Sequence, residues 1–207
     1  VTGLQKQLAY QGSLSLKSIS LRDLLSALDV VIETAEPNAL QDFSLASEFT
    51  GTDKKIQLDK LDMQLDKTQF TGFIAINDFA TSAIKLNLQG DQLNIDHYLP
   101  PSSEEATEAA ENSSGDEPLP LDALKTLNLN AKLQLAQLTI MELQMQDVNW
   151  TILSRNGMLE QDLSAKSYSG KLALKNQLDA RQSPANVKFD LTAEGVEVTP
   201  LMNDLFK

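Results

Sequence analysis

Apolar and polar residues alternate with period two along most of this chain. Ile84, Leu86 and Leu88 alternate with Lys85, Asn87 and Gln89, and after Gly90 the alternation resumes at Leu93 and Ile95. Leu129, Ala131, Leu133 and Leu135 alternate with Asn130, Lys132 and Gln134. Val187, Phe189 and Leu191 alternate with Lys188, Asp190 and Thr192. Successive side chains of a strand point to opposite faces, so each run predicts a strand with one apolar and one polar face. Between Leu129 and Ile152 the spacing of two is interrupted three times by a spacing of three. Each slip would turn later side chains to the wrong face unless a bulge or turn restores them. The main turn is predicted near Met141-Glu142, with bulges near Ala136-Gln137 and Gln146-Asp147. Asn156-Gly157 adds a hairpin turn, because both residues tolerate positive φ.

Helical patterns are few and short. Ser20 is placed to cap a helix over about 20–32 whose apolar face is Leu21, Leu24, Leu25, Leu28 and Val31, with Asp23 at the N3 position. Leu121, Leu124 and Leu127 predict one to two turns after Pro120. Thr199 before Pro200 reads as a cap followed by a first-turn proline, with Leu201 and Leu205 on one face. The two halves also resemble each other. Residues 70–76 parallel 168–174, residues 84–88 parallel 187–191, and Leu21-x-x-Leu24 parallels Leu121-x-x-Leu124. The predicted fold is therefore mainly β with a few short helices. About two helix-plus-strands repeats form an antiparallel meander, an elongated curved sheet or groove. The first repeat spans 1–100, with partial preceding strands at 1–19. The second spans 119–207 and is truncated at a helix start.

Between them lies 101–118, which contains six acids, no base and no large apolar residue. Such a segment cannot offset its ordering entropy by burial, so a disordered acidic linker is expected. It changes the meaning of the net charge. Of the 207 residues, 17 are Lys or Arg and 29 are Asp or Glu, a formal charge of −12, and half of that excess sits in the linker. What remains is still acidic, which argues against nucleic acid and against a polybasic membrane patch. No cysteine is present, excluding disulfides, Fe–S clusters and thiol catalysis. No apolar run of spanning length occurs, and the chain begins Val1-Thr2-Gly3 and ends within an apolar pattern. It reads as an excised piece whose anchor or signal lies elsewhere.

Chemistry-bearing motifs are scarce. His97 is the single histidine, so triad and multi-histidine metal mechanisms lack a partner, and it reads as structural or surface. Asp91, Asn94 and Asp96 approach a calcium-loop spacing, but the central Gly and terminal Glu are missing. Neither a nucleophile elbow nor a phosphate-binding glycine loop is present. No catalytic residue, metal or cofactor is expected, and the chain is not read as an enzyme. Trp150 shares the apolar register with Val148 and Ile152 and reads first as a core residue, with a hydrophobic contact in a ligand groove as the alternative. Aromatics are 5% of the chain. An aliphatic face suits acyl chains better than bases or sugars, whose recognition leans on stacking. An ordinary sandwich core has the same periodicity, so both readings stand.

The run Gln92-Leu93-Asn94-Ile95-Asp96-His97-Tyr98-Leu99-Pro100 resembles the L-x-I-D-x-Y-L-P strand end of AsmA-type proteins. In the family's order there follow an acidic linker, Leu119-Pro120-Leu121-Asp122-Ala123-Leu124, Leu129 through Leu133, Asn156-Gly157 and Ala165 through Leu172. Ala193-Glu194-Gly195-Val196-Glu197-Val198-Thr199-Pro200 closes the set. The similarity is to the AsmA C-terminal region and is clearest over residues 80–206. It implies the periplasmic portion of a Gram-negative envelope protein tethered to the inner membrane by a helix outside this chain. It further implies a role in outer-membrane biogenesis and phospholipid transport or homeostasis. TamB and the chorein-type bridges are relatives, which suggests a lipid-carrying β-groove. The alternative is a protein-binding scaffold assisting assembly or targeting of outer-membrane proteins. Implied partners are phospholipid acyl chains and envelope proteins, not nucleic acid. The groove candidates are Leu133, Leu135, Leu138, Ile140, Leu143, Met145, Val148, Trp150, Ile152, Leu172, Leu174, Val187, Phe189 and Leu191. Leu133, Leu135, Leu138 and Ile140 are expected to form one continuous wall with Leu172, Leu174, Phe189 and Leu191.

Overall fold

The computed structural model describes residues 8–30, 32–101 and 121–205. The acidic linker, apart from Pro101, lies outside the described residues, as does Val31. Ten strands form one sheet in chain order: β1 (Ala9–Ile19), β2 (Phe43–Thr52), β3 (Ile56–Leu65), β4 (Thr68–Ile76), β5 (Ala83–Asn94), β6 (Asn128–Ile140), β7 (Leu143–Arg155), β8 (Met158–Ser167), β9 (Gly170–Asp179) and β10 (Asn186–Glu194). Short helices sit between or after them: α1 (Leu21–Ser26), a 3-10 turn (Ile95–Tyr98), α2 (Leu121–Thr126) and α3 (Val198–Leu205). Among the described residues there is no second sheet. The first and last strands do not pair with each other, so the sheet is open. It is a mainly β, mostly antiparallel curved meander, five strands on each side of the central connection.

One pairing departs from the predicted meander. β5 and β6 run parallel, from Ala83 opposite Asn128 to Asn94 opposite Thr139. Parallel neighbours need a crossover of a dozen or more residues, because the chain must return to the end where the first strand began. The connection 95–127, which contains the acidic segment, has that length. The linker therefore does topological work that its composition does not announce.

Turns and slips explain the register. Met141-Glu142 joins β6 to β7 with φ of 51° and 62°, and Asn156-Gly157 joins β7 to β8 with 51° and 76°. Both are two-residue turns of the kind that matches strand twist. A third such turn is Tyr168-Ser169, φ 47° and 66°, between β8 and β9. The repeat predicts Tyr168-Ser169-Gly170 level with Phe70-Thr71-Gly72, but Phe70 through Gly72 lie inside β4. The slip at Ala136 is shared by its neighbours. Pairing of β5, β6 and β7 stays in register on both sides of Asp91, Ala136 and Asp147, while those three residues drop out of it. Asp147, at φ 50°, carries the bulge, and β8 then shifts register between Gln146 and Asn149. Bulges of this kind bend a strand and increase its twist.

The helices are shorter or shifted. Ser20 caps α1 as expected, its hydroxyl accepting from the Asp23 N–H at 3.1 Å. The helix nevertheless stops at Ser26 instead of reaching 32. The Val30 N–H returns to the Leu25 carbonyl at 2.9 Å, and Asp29 turns left-handed at φ 60°. Leu24 and Leu28 stay exposed. α3 begins at Val198, so Thr199 is inside the helix and Pro200 completes its first turn. No described helix is long and apolar enough to cross a membrane.

Candidate functional site: the apolar face of the sheet

Following partners across the ladders gives rows of side chains perpendicular to the strands. One row runs Gly90, Leu135, Val148 through the pairings of β5, β6 and β7. Another runs Leu88, Leu133, Trp150, Leu163, Leu174, Leu191. A third runs Ile84, Leu129, Ser154, Leu159, Leu178, Val187, and a fourth Leu86, Ala131, Ile152, Gln161, Asn176, Phe189. Leu138 faces Met145, and Ile140 faces Leu143 beside the turn. Leu172 lies opposite Ala165 and Ala193. The fourteen groove candidates thus share one face, since strand parity is reset at each slip.

That face is graded in depth. Leu135, Leu138 and Val148 are 1–2% exposed, although no second sheet covers them. Side chains that deep on one sheet must be enclosed by the sheet's own coiling and by their neighbours. Trp150, Ile152, Leu172 and Leu174 are half-buried. Val187, Phe189 and Leu191 on the last strand are exposed at 53%, 70% and 65%. The first five strands supply as much of this face as the last five: Leu61, Phe70 and Leu88 belong to the same core cluster, with Leu45, Leu58, Met63, Ile74 and Leu86 packed against it. None of these was among the groove candidates, although Leu61-x-Met63-x-Leu65 and Ile74-x-Ile76 carry the same period-two signal.

Two polar side chains break the apolar rows. Gln161 and Asn176 sit between Ile152 and Phe189. The Asn176 Oδ1 is buried and has no hydrogen-bond partner among the described residues. A buried acceptor left unmatched costs free energy that an added donor would recover.

One end of the face is clamped by the Leu93-to-Pro100 segment. The Asp96 carboxylate accepts from the N–H groups of Met141 and Glu142 at 2.6 and 2.9 Å. It thereby holds a turn whose residues have positive φ without being Gly or Asn. The Tyr98 hydroxyl donates to Asp66 at 3.0 Å. Asp66 also accepts from the N–H groups of Leu40, Gln41 and Asp42 at 2.8–3.1 Å. The Leu99 and His97 carbonyls accept from Ala35 and Glu36, and Arg22 donates to Ala39, Ile32 and Thr34. The loop 32–42 is thus tied to the sheet end from three sides. Burial acts to raise the Asp66 pKa, but the three backbone donors and Tyr98 together outweigh it and hold the group below its ordinary value. Burial first, then the Asp66 carboxylate, push Tyr98 up to about 12. Sequence reasoning did not single out Asp66 or Arg22, whose partners are distant in sequence.

His97 is exposed, its Nε2 3.0 Å from the Asn94 amide nitrogen. Asp96 and Asn94 are occupied as a turn anchor and as the cap of the 3-10 turn, whose Asp96 N–H donates to Asn94 Oδ1. Among the described residues no group of acids and histidines is placed to hold a metal ion. The opposite face is polar and carries scattered exposed ion pairs, Lys60 with Glu48 at 2.8 Å and Lys166 with Asp147 at 2.7 Å. Such pairs are solvated and add little.

The described residues form one long open sheet with a largely aliphatic face and no second layer over it, which defines the class of architecture. The chain belongs to the AsmA family, whose model matches residues 2–207. Membership links it to the cell envelope, in outer-membrane assembly or lipid transport in general. Neither a search of curated proteins nor one of solved structures gave a match.

Proposed function

We propose that this chain is the periplasmic part of an envelope protein tethered to the inner membrane, and that its apolar face carries phospholipid acyl chains. It acts as a conduit, not as an enzyme. The observation that supports this reading is the run of aliphatic rows across the sheet, half-open over β7 to β9 and with no second layer over them among the described residues. Each CH₂ removed from water contributes about 0.8 kcal/mol, so an acyl chain needs no specific polar contact to be held there. Gln161 and the unmatched Asn176 Oδ1 offer polar contact where a glycerol or headgroup hydroxyl would lie. The test is photo-crosslinking in cells with the full-length protein. A probe at Leu174 should give phospholipid adducts, and one at Lys175, on the polar face, should not. Equal adducts at both, or none at Leu174, would overturn the reading.

A second reading is a scaffold assisting outer-membrane proteins through the edges of β1 and β10, which have no further partner strand among the described residues, since exposed edges recruit strands. It predicts protein adducts at β10 in place of lipid adducts at Leu174.

A further inference from the structure

The bulge row at Asp91, Ala136 and Asp147 is answered differently on its two sides. Past Asp147, β7 takes up pairing with β8 again at Gln146 opposite Lys166. Past Asp91, β5 resumes with β6, Gln92 opposite Gln137 and Asn94 opposite Thr139. It does not resume with β4. That ladder ends at Phe70 opposite Gly90, although β4 itself reaches Thr68. An inner strand of the sheet is thus left with one side unladdered over its last residues. Two side chains bridge the gap instead. Asp91 Oδ1 accepts from the Gln69 N–H at 2.9 Å, and Gln92 Nε2 donates to the Lys67 carbonyl at 3.3 Å.

A cavity of about 480 Å³ lies in this gap, between the turn at Asp66-Lys67, the ends of β5 and β6, and the loop that carries Glu36 and Asn38. Its size is that of a small-molecule site. None of the groove candidates lines it. Asp66 on its wall already accepts from four donors and is spent on holding the loop. The groups left for a guest are mostly ones that both donate and accept. The Gln137 amide and the Thr139 hydroxyl have no partner among the described residues, and Gln92 uses only its amide nitrogen. The Lys67 ammonium is likewise unpaired among them, and Glu36 accepts through one oxygen only, from Asn38. An anionic guest would face Glu36 and Asp66, and a lone cation would face Lys67. A hydroxyl, which is donor and acceptor at once, matches amides and hydroxyls without meeting either penalty.

We propose that this cavity binds a neutral polyhydroxyl group, a free sugar or the polyol of a lipid headgroup, through Gln92, Gln137, Thr139, Lys67 and Glu36. The site is polar, separate from the aliphatic rows, and built by the missing stretch of β4–β5 ladder. It stands or falls independently of what the apolar face carries.

The test titrates the ¹⁵N-labelled chain with glucose, N-acetylglucosamine and inositol, followed by amide chemical shifts. At least one should bind with a Kd of about 1 mM or tighter, moving the amides of Lys67, Gln92, Gln137 and Thr139 and leaving Trp150 unmoved. Inorganic phosphate should bind at least about tenfold more weakly. Gln137→Ala changes an exposed side chain and should weaken binding at least about threefold. Gln134→Ala, on the same strand but outside the cavity, should leave it unchanged, and circular dichroism verifies both folds. Phosphatidylcholine vesicles carrying phosphatidylinositol, against ones carrying phosphatidylserine, identify the source at matched charge. Capture that needs phosphatidylinositol and falls with Gln137→Ala supports the proposal with a lipid headgroup as the guest. Binding of the free sugars alone supports it with a soluble one. No binding in either arm, tighter binding of phosphate than of any polyol, shifts spread over the apolar face, or equal effects of the two variants overturns the proposal.

Discussion

β5 and β10 carry nearly the same five-residue pattern at the same height of one sheet, yet they live in different environments. Leu88 is buried between Gly72 and Leu133, whereas Leu191 has Leu174 on one side and solvent on the other. Alternation therefore decides which face a side chain joins, and the neighbouring strand decides how deeply it is buried. The same contrast runs along the whole face, from Val148 at 1% exposure to Phe189 at 70%. The described residues form no second layer, and burial on this face is deepest in the middle strands and least on β10.

The largest expected effect tests that contrast directly. Leu88→Ala removes packing from both sides and should cost ~2–5 kcal/mol. Leu191→Ala, at 65% exposure, should cost under ~1 kcal/mol. Urea unfolding of the two variants measures the gap, and equal costs would mean that the β10 edge is covered in solution.

Next comes the clamp that the Leu93-to-Pro100 segment makes at one end of the face. Asp96→Ala leaves the Met141 and Glu142 N–H groups without their acceptor and should cost ~1–3 kcal/mol. Amide exchange at that turn should accelerate, while exchange at the Asn156-Gly157 turn stays unchanged.

The clamp also predicts a pH response with a definite sign. Asp66 is held below its ordinary pKa. Its stabilising contribution is complete above the ordinary carboxylate range and is lost as the pH falls through its lowered value. Tyr98 is raised to about 12. Its contribution is complete below about pH 10 and disappears as the pH rises toward about 12. Stability curves of the parent and Tyr98→Phe should converge on the alkaline side, because the variant has no hydroxyl to ionise. Parallel curves across that window would remove the Tyr98–Asp66 link from the account.

The smallest effect concerns the interrupted row. Asn176→Leu removes the unmatched acceptor and should leave stability unchanged or raise it by up to ~1 kcal/mol. A loss above ~1 kcal/mol in thermal unfolding would show that Asn176 has a partner in solution.

How much of this was legible beforehand follows from the kind of signal involved. Period-two runs placed β5, β6 and β10, and the slips at Ala136 and Asp147 marked bulges, because side-chain parity is a local property of the backbone. The Met141-Glu142 and Asn156-Gly157 turns followed from the same reasoning. Tyr168-Ser169 did not, since neither residue advertises positive φ, and its geometry is supported from outside, by the Glu197 N–H donating to the Tyr168 carbonyl at 2.9 Å. The α1 pattern was read too long, because a helical stripe persists only where something packs on it. On the face itself, the second-half residues were found and the first-half ones, such as Leu61 and Phe70, were not. Their membership depends on pairings across the ladder.

The amino-acid sequence by itself determined the strands, their two unlike faces, the acidic connection and the AsmA character of the Leu93-to-Pro100 segment. Each is written in spacing or composition over a few neighbouring residues. Folding in three dimensions decided that β5 and β6 lie parallel and that Asp66 and Asp96 lock the sheet end. Those features join residues tens of positions apart, where the choice of partner is made by closure of the whole sheet and not by any local preference.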